Sequence, residues 1–177
     1  SLSQCPMNTK LAAAMSDLRF AMVGCTPLHL AAMYDRADVA RVLVEAGAAL
    51  DARSRNAAAA TPLAYAASMG HLAVLDVLIS AAGTKPLNAL SREGSAVHYA
   101  AATGHRAALT RLLGAGASPS IGAPATALHV ARDADVAKAL LDAGAPVDPT
   151  NGGDDETPLV AAAARGDLSV AALLVKR

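Results

Sequence analysis

The 177-residue chain is 54% apolar and 17% charged, a balance that excludes a disordered polypeptide, and with 2% aromatic residues its core has to be built from alanine, leucine and valine. Fifteen basic and fifteen acidic side chains cancel, so no overall electrostatic pull draws the chain to nucleic acid or to an anionic membrane. No apolar run of about 18 residues is present to span a bilayer, and the amino terminus lacks a basic segment leading into an apolar one. Cys5 and Cys25 are too few for a disulfide framework and read as free thiols in a reducing compartment, cytoplasm or nucleus.

Taken along the chain, residues 1–25 are the least regular. "NTKLAAAMSDL" predicts a helix over 8–20, with Asn8 or Thr9 as cap and Leu11, Met15 and Leu18 on one face. It aligns with no later segment, and an end unit of a repeat array needs a different outer face.

The next element opens "TPLHLAA" at 26–32. A threonine hydroxyl caps orphan backbone N–H groups, and proline suits the first turn because it has no N–H to leave unpaired. The same opening returns as "TPLAYAA" at 61–67, "SAVHYAA" at 95–101, "TALHVAR" at 126–132 and "TPLVAAA" at 157–163, at intervals of 35, 34, 31 and 31 residues. Three of the openings lead to a turn, "GH" or "GD" at Gly70-His71, Gly104-His105 and Gly166-Asp167. Second apolar segments follow: "DVARVLVEAG", "LAVLDVLIS", "ALTRLLGAG" and "DVAKALLDAG". Both segments of each unit carry apolar residues at helical spacing. Gly47, Gly116 and Gly144 stand where a left-handed residue closes a second helix. A fixed period near 33 predicts a solenoid of helix pairs.

The units depart from one another. Asp35-Arg36 replaces the glycine turn of the first, and the connection "RSRNAAAA" is about two residues longer than the norm. The second inserts residues around "AAGTKP". The fourth lacks about three residues between its helices, which requires a tighter turn or a shorter first helix. The last stops before the glycine that ends a second helix, and the chain begins with Ser, so a longer protein is expected.

With its "TPLHxAA" openings, "GH" turns and "GADVNA"-like ends ("GAALDA", "PLNA", "GASPS", "GAPVD"), the sequence resembles the ankyrin repeat family over roughly residues 20–177. The resemblance implies an all-α solenoid of stacked antiparallel helix pairs with projecting β-turn or hairpin fingers. Its expected division is an amino-terminal cap at 1–25 and units at 26–60, 61–94, 95–125, 126–156 and 157–177. It also implies that His29, His98 and His129 hydrogen-bond locally, to the Thr and neighbouring backbone, and tie one unit to the next. Ala64 and Val160 stand at the same position in units two and five, and those junctions are expected to lack the tie.

Catalysis finds no support. Equivalent histidines in adjacent units lie roughly 8–10 Å apart, too far to share an ion that needs its nitrogens within about 2.1 Å. No phosphate-binding glycine loop, paired-cysteine zinc spacing or nucleophile elbow occurs. The expectation is no enzyme, no cofactor and no metal.

The expected function is a non-catalytic protein-interaction module, a scaffold, adaptor, inhibitor or targeting domain. The alternative is a regulatory or substrate-recruiting domain of a larger enzyme or effector whose active site lies outside these residues. A monomer binding a protein partner is expected, with no nucleic acid and no membrane.

By resemblance, the contact residues are the ends of the first helices and the fingers. The helix ends supply Met33, Tyr34, Ser68, Met69, Thr103 and Arg165, with Ala102 and Ala164 beside them and Arg132 and Asp133 as equivalents in the shortened unit. The fingers supply Arg53, Arg55 and Asn56, then Ser91, Arg92 and Glu93, then Asp154, Asp155 and Glu156, a run from basic to acidic along the stack. Tyr65 and Tyr99 are expected to point into the core, and Arg41, Glu45, Asp76, Arg111, Lys138 and Asp142 to solubilise the convex side.

Overall fold

A computed structural model describes residues 24–55, 58–82, 84–121, 125–150 and 156–177. The expected capping helix over 8–20 lies outside these residues. The helices are α1 (Pro27–Met33), α2 (Ala37–Glu45), α3 (Pro62–Met69), α4 (Leu72–Ala81), α5 (Thr84–Leu87), α6 (Ala96–Thr103), α7 (Arg106–Gly114), α8 (Ala134–Asp142), α9 (Pro158–Arg165) and α10 (Leu168–Val175).

They form pairs, α1 with α2, α3 with α4, α6 with α7 and α9 with α10, and the pairs stack. First helices make one row, α1 on α3 on α6, and second helices another, from α2 through α4, α7 and α8 to α10. Among the described residues no strand forms.

The alanine-rich composition shows its purpose in the first row. Ala31, Ala66, Ala100, Ala131 and Ala162, five residues after each opening Thr or Ser, are all 2% exposed or less. A methyl side chain there lets successive helices approach to the short end of the packing range. Leu28, Leu63, Val97 and Leu128 fill the space between rows, with Leu75, Leu109, Leu112 and Leu140 from the second row.

The first helices that close on glycine turn at Gly70 (φ 70°), Gly104 (φ 77°) and Gly166 (φ 76°). Asp35, in the glycine's place, adopts φ 53°. The turn is the same in all four: the residue after the left-handed position donates to the carbonyl of Ala31, Ala66, Ala100 or Ala162 at 2.9–3.0 Å. An L side chain in this conformation costs about 1–2 kcal/mol, least for Asp or Asn. Gly47, Gly116 and Gly144 are left-handed as expected at the ends of second helices. After α4 the chain instead runs on extended at Ala82 and makes the short α5, whose Leu87 is buried.

The fourth unit resolves its deletion by giving up its first helix. Residues 127–130 form turns only. Elsewhere the N-cap of the second helix lies ten residues after the opening Thr or Ser, whereas Asp133 lies seven after Thr126, one helical turn fewer. What remains is too short to propagate. Asp133 compensates as a true cap, accepting from the Val136 N–H at 2.8 Å, which Arg36, His71, His105 and Asp167 do not do for their helices.

Candidate functional site

Three histidines bind the stack together, each in the same geometry. The Thr26 N–H donates to Nδ1 of His29 at 3.0 Å with Thr26 Oγ1 also 2.8 Å from that nitrogen, and Nε2 lies 2.9 Å from the carbonyl of Ala60, the residue just before the next unit's opening Thr61. Ser95 and His98 repeat this with the Ala125 carbonyl, and Thr126 and His129 with that of Glu156, both at 2.9 Å. The acceptor role at Nδ1 and the carbonyl at Nε2 together fix the neutral Nε2–H tautomer. Burial depresses the pKa of His29 and of His98 below the usual value of 6.5. The carbonyl partner opposes this in each, and at His98 the neighbouring His129 adds to it.

Where alanine or valine replaces the histidine, the hydroxyl returns to ordinary capping. Thr61 Oγ1 accepts from the Ala64 N–H at 3.2 Å, and Thr157 Oγ1 from that of Val160 at 3.4 Å. A fourth histidine works in the opposite direction: His71 Nδ1 is 2.9 Å from the Ala32 carbonyl of the preceding unit.

The residues expected at the ends of first helices fall into two groups. Tyr34 (45% exposed) and Met69 (49%) are large apolar groups facing solvent at neighbouring helix ends, with Met33 and Ser68 half-buried beside them. Ser68 and Thr103 spend their hydroxyls on the Tyr65 and Tyr99 carbonyls, at 3.0 and 2.7 Å.

The second group is built into the stack. Arg132 donates through Nε to the Ala102 carbonyl at 3.0 Å, and Asp133 caps α8. Arg165 reaches back one unit. Its Nη1 is 2.5 Å from the His129 carbonyl, its Nη2 3.1 Å from that of Ala131, and its Nε 2.7 Å from Asp167. Its planar fork therefore serves carbonyls in the stretch that failed to make a helix.

On the fingers Arg53, Arg55, Arg92 and Glu93 are exposed, Ser91 is buried at 7%, and the Glu156 carbonyl takes the His129 bond. Asn56, Asp154 and Asp155 lie outside the described residues, so Glu156 alone represents the acidic end of the charge run among them.

Sequence reasoning missed two arrangements. Tyr65 and Tyr99 are half-buried, with Tyr65 packed against the core as expected; their hydroxyls meet finger serines, Tyr65 with Ser54 at 3.5 Å and Tyr99 with Ser91 at 3.2 Å. Tyr65 also stands edge-on to His29 at 5.7 Å. Burial raises the pKa of Tyr99 and, near Tyr65, that of Cys25. On the convex side Asp76 pairs with Arg111, Asp135 with Arg106 and Asp142 with Arg177, each across a unit boundary, so these charges join second helices as well as solvating them.

Among the described residues no His, Cys, Asp or Glu side chains gather in threes to hold a metal, and no helix is long and apolar enough to cross a membrane. A family model described as ankyrin repeats (3 copies) matches residues 9–89 and 97–177. No curated protein matches the chain.

Proposed function

Because the chain belongs to the ankyrin repeat family, whose members are generally protein-interaction modules, we propose that it is a non-catalytic module that docks a protein partner on its first-helix ends and fingers. Of the units at 26–60, 61–94, 95–125, 126–156 and 157–177, the first three would then each offer one first-helix end and one finger, while the fourth has no first helix. The observation that carries this reading is the pair Tyr34 and Met69. Tyr34 caps α1 and Met69 ends α3, helices whose other large apolar side chains are at least half-buried, and the two stand at the same end of adjacent helices, roughly one helix spacing apart. Aromatic and methionine side chains exposed in register are the anchors that interfaces favour.

The candidate contact set is Met33, Tyr34, Ser68, Met69 and Thr103 with Arg53, Arg55, Arg92 and Glu93. Arg132, Asp133 and Arg165 support it from behind through the bonds they already make. The test compares the parent chain with a Tyr34→Ser, Met69→Ser double variant, both immobilised, with captured proteins identified by mass spectrometry. A partner lost from the variant, with far-UV circular dichroism unchanged, is the expected result. Equal recovery by both would overturn docking on this face.

A further inference from the structure

Two fingers repeat one design. Ser54-Arg55 and Ser91-Arg92 are the same dipeptide 37 residues apart, and in each the serine turns inward while the arginine turns out. Ser54 Oγ accepts from the Ala60 N–H at 3.0 Å, and Ser91 Oγ donates to the Gly94 carbonyl at 2.5 Å. Both stand against a tyrosine of the helix that follows. The arginine backbones are pinned to the preceding finger, Arg55 N–H on the Gly24 carbonyl and Arg92 N–H on that of Ala58, both at 3.1 Å. At Gly24 (φ 87°) a Cβ would fall 2.1 Å from that of Arg55, so only glycine admits the arginine stem there.

The backbones are held while the guanidinium groups stay exposed, an exposure shared by Arg36 and Arg53. Among the described residues Arg41, Arg106, Arg111, Arg165 and Arg177 form ion pairs and Arg132 binds a carbonyl, while Arg55 and Arg92 do neither. Glu93, beside Arg92, is drawn towards the Tyr99 hydroxyl, and Asp51, four residues before Arg55, is exposed.

Successive units repeat at about 8–10 Å, and an extended chain advances about 3.3 Å per residue, so two arginines one unit apart match every third residue of a strand-like peptide. We infer that Arg55 and Arg92 recognise an extended acidic peptide with carboxylates at positions i and i+3, lying across the first two fingers. The guanidinium fork suits a carboxylate through two parallel bonds. The zero net charge of the chain gives a nucleic acid no comparable attraction beyond these two groups.

The inference rests on the interaction reading above, and its test separates the two. Fluorescence anisotropy is measured on the full chain with a labelled peptide carrying glutamates at i and i+3. Comparison probes are its Gln/Gln counterpart, a peptide with glutamates at i and i+1, and a single-stranded RNA of similar length. Saturable binding of the i, i+3 peptide is expected, weakened about tenfold by either Arg55→Glu or Arg92→Glu, weakened by salt, and unchanged by Lys138→Glu on the convex side. Equal binding of the Gln/Gln or i, i+1 peptide, tighter binding of the RNA, or indifference to both charge reversals overturns it. Should peptides selected on the immobilised chain lack acidic pairs yet depend on Tyr34 and Met69, this inference falls while the broader reading stands.

Discussion

Arg165 offers the sharpest quantitative test, because its position suggests a solvent-facing contact residue and its bonds say otherwise. Replacing it by alanine removes two charged donors from the carbonyls of His129 and Ala131 and one from Asp167. A hydrogen bond to a charged group contributes about 1.5–3 kcal/mol. The guanidinium is 34% exposed, so water competes and the two carbonyl bonds together are discounted to about 2 kcal/mol. The Asp167 pair, 26% exposed on its acidic side, adds at most about 0.5 kcal/mol. Arg165→Ala is therefore expected to cost roughly 2–3 kcal/mol, which for a chain of this size lowers Tm by about 5–10 °C. Arg165→Lys is expected to recover less than half, since one ammonium cannot bridge both carbonyls and the carboxylate. Urea unfolding followed by far-UV circular dichroism gives both values. A loss below about 0.5 kcal/mol, the range of ordinary surface changes, would refute the claim that this arginine supports the shortened unit.

Asp35→Gly is expected to stabilise the chain by about 1 kcal/mol by relieving the left-handed backbone at φ 53°, and a lower urea midpoint would count against that cause. Acid is expected to destabilise the fold through His29 and His98. Their folded-state pKa values lie below 6.5, so as pH falls the unfolded chain takes up protons first, and stability present above the unfolded pKa is lost as pH drops towards the folded one. The slope contributed is at most about 1.4 kcal/mol per pH unit for each histidine. Denaturant titrations between neutral and mildly acid pH are expected to show it, with a shallower slope for His98→Gln; a flat or rising profile in the parent chain would contradict the histidine geometry.

The repeating architecture was legible because its causes are local. Thr-Pro starts, glycine stops and alanines at fixed offsets act within a few residues, and the histidine tie depends on a pattern of four. The fourth unit was only half legible. Its "TALH" is intact and still places His129 on the Glu156 carbonyl, yet three missing residues remove the turn of helix that the pattern implies elsewhere. Which remedy the chain would adopt depended on a guanidinium from the next unit, thirty-odd residues away. The finger serines escaped notice for a related reason: Ser54 precedes Thr61 by seven residues and Ser91 precedes Ser95 by four, so alignment on the helix starts hides their equivalence.

The side-chain hydrogen bonds that cross from unit to unit join residues 29 to 39 positions apart. Each such fastening therefore reaches a next-door neighbour and goes no further. Tension applied to the two ends of such an object is borne in series, like links of a chain under a hanging weight, and its tolerance is that of its weakest joint. The joint behind Ala64 lacks the imidazole bond to the following finger that His29, His98 and His129 make.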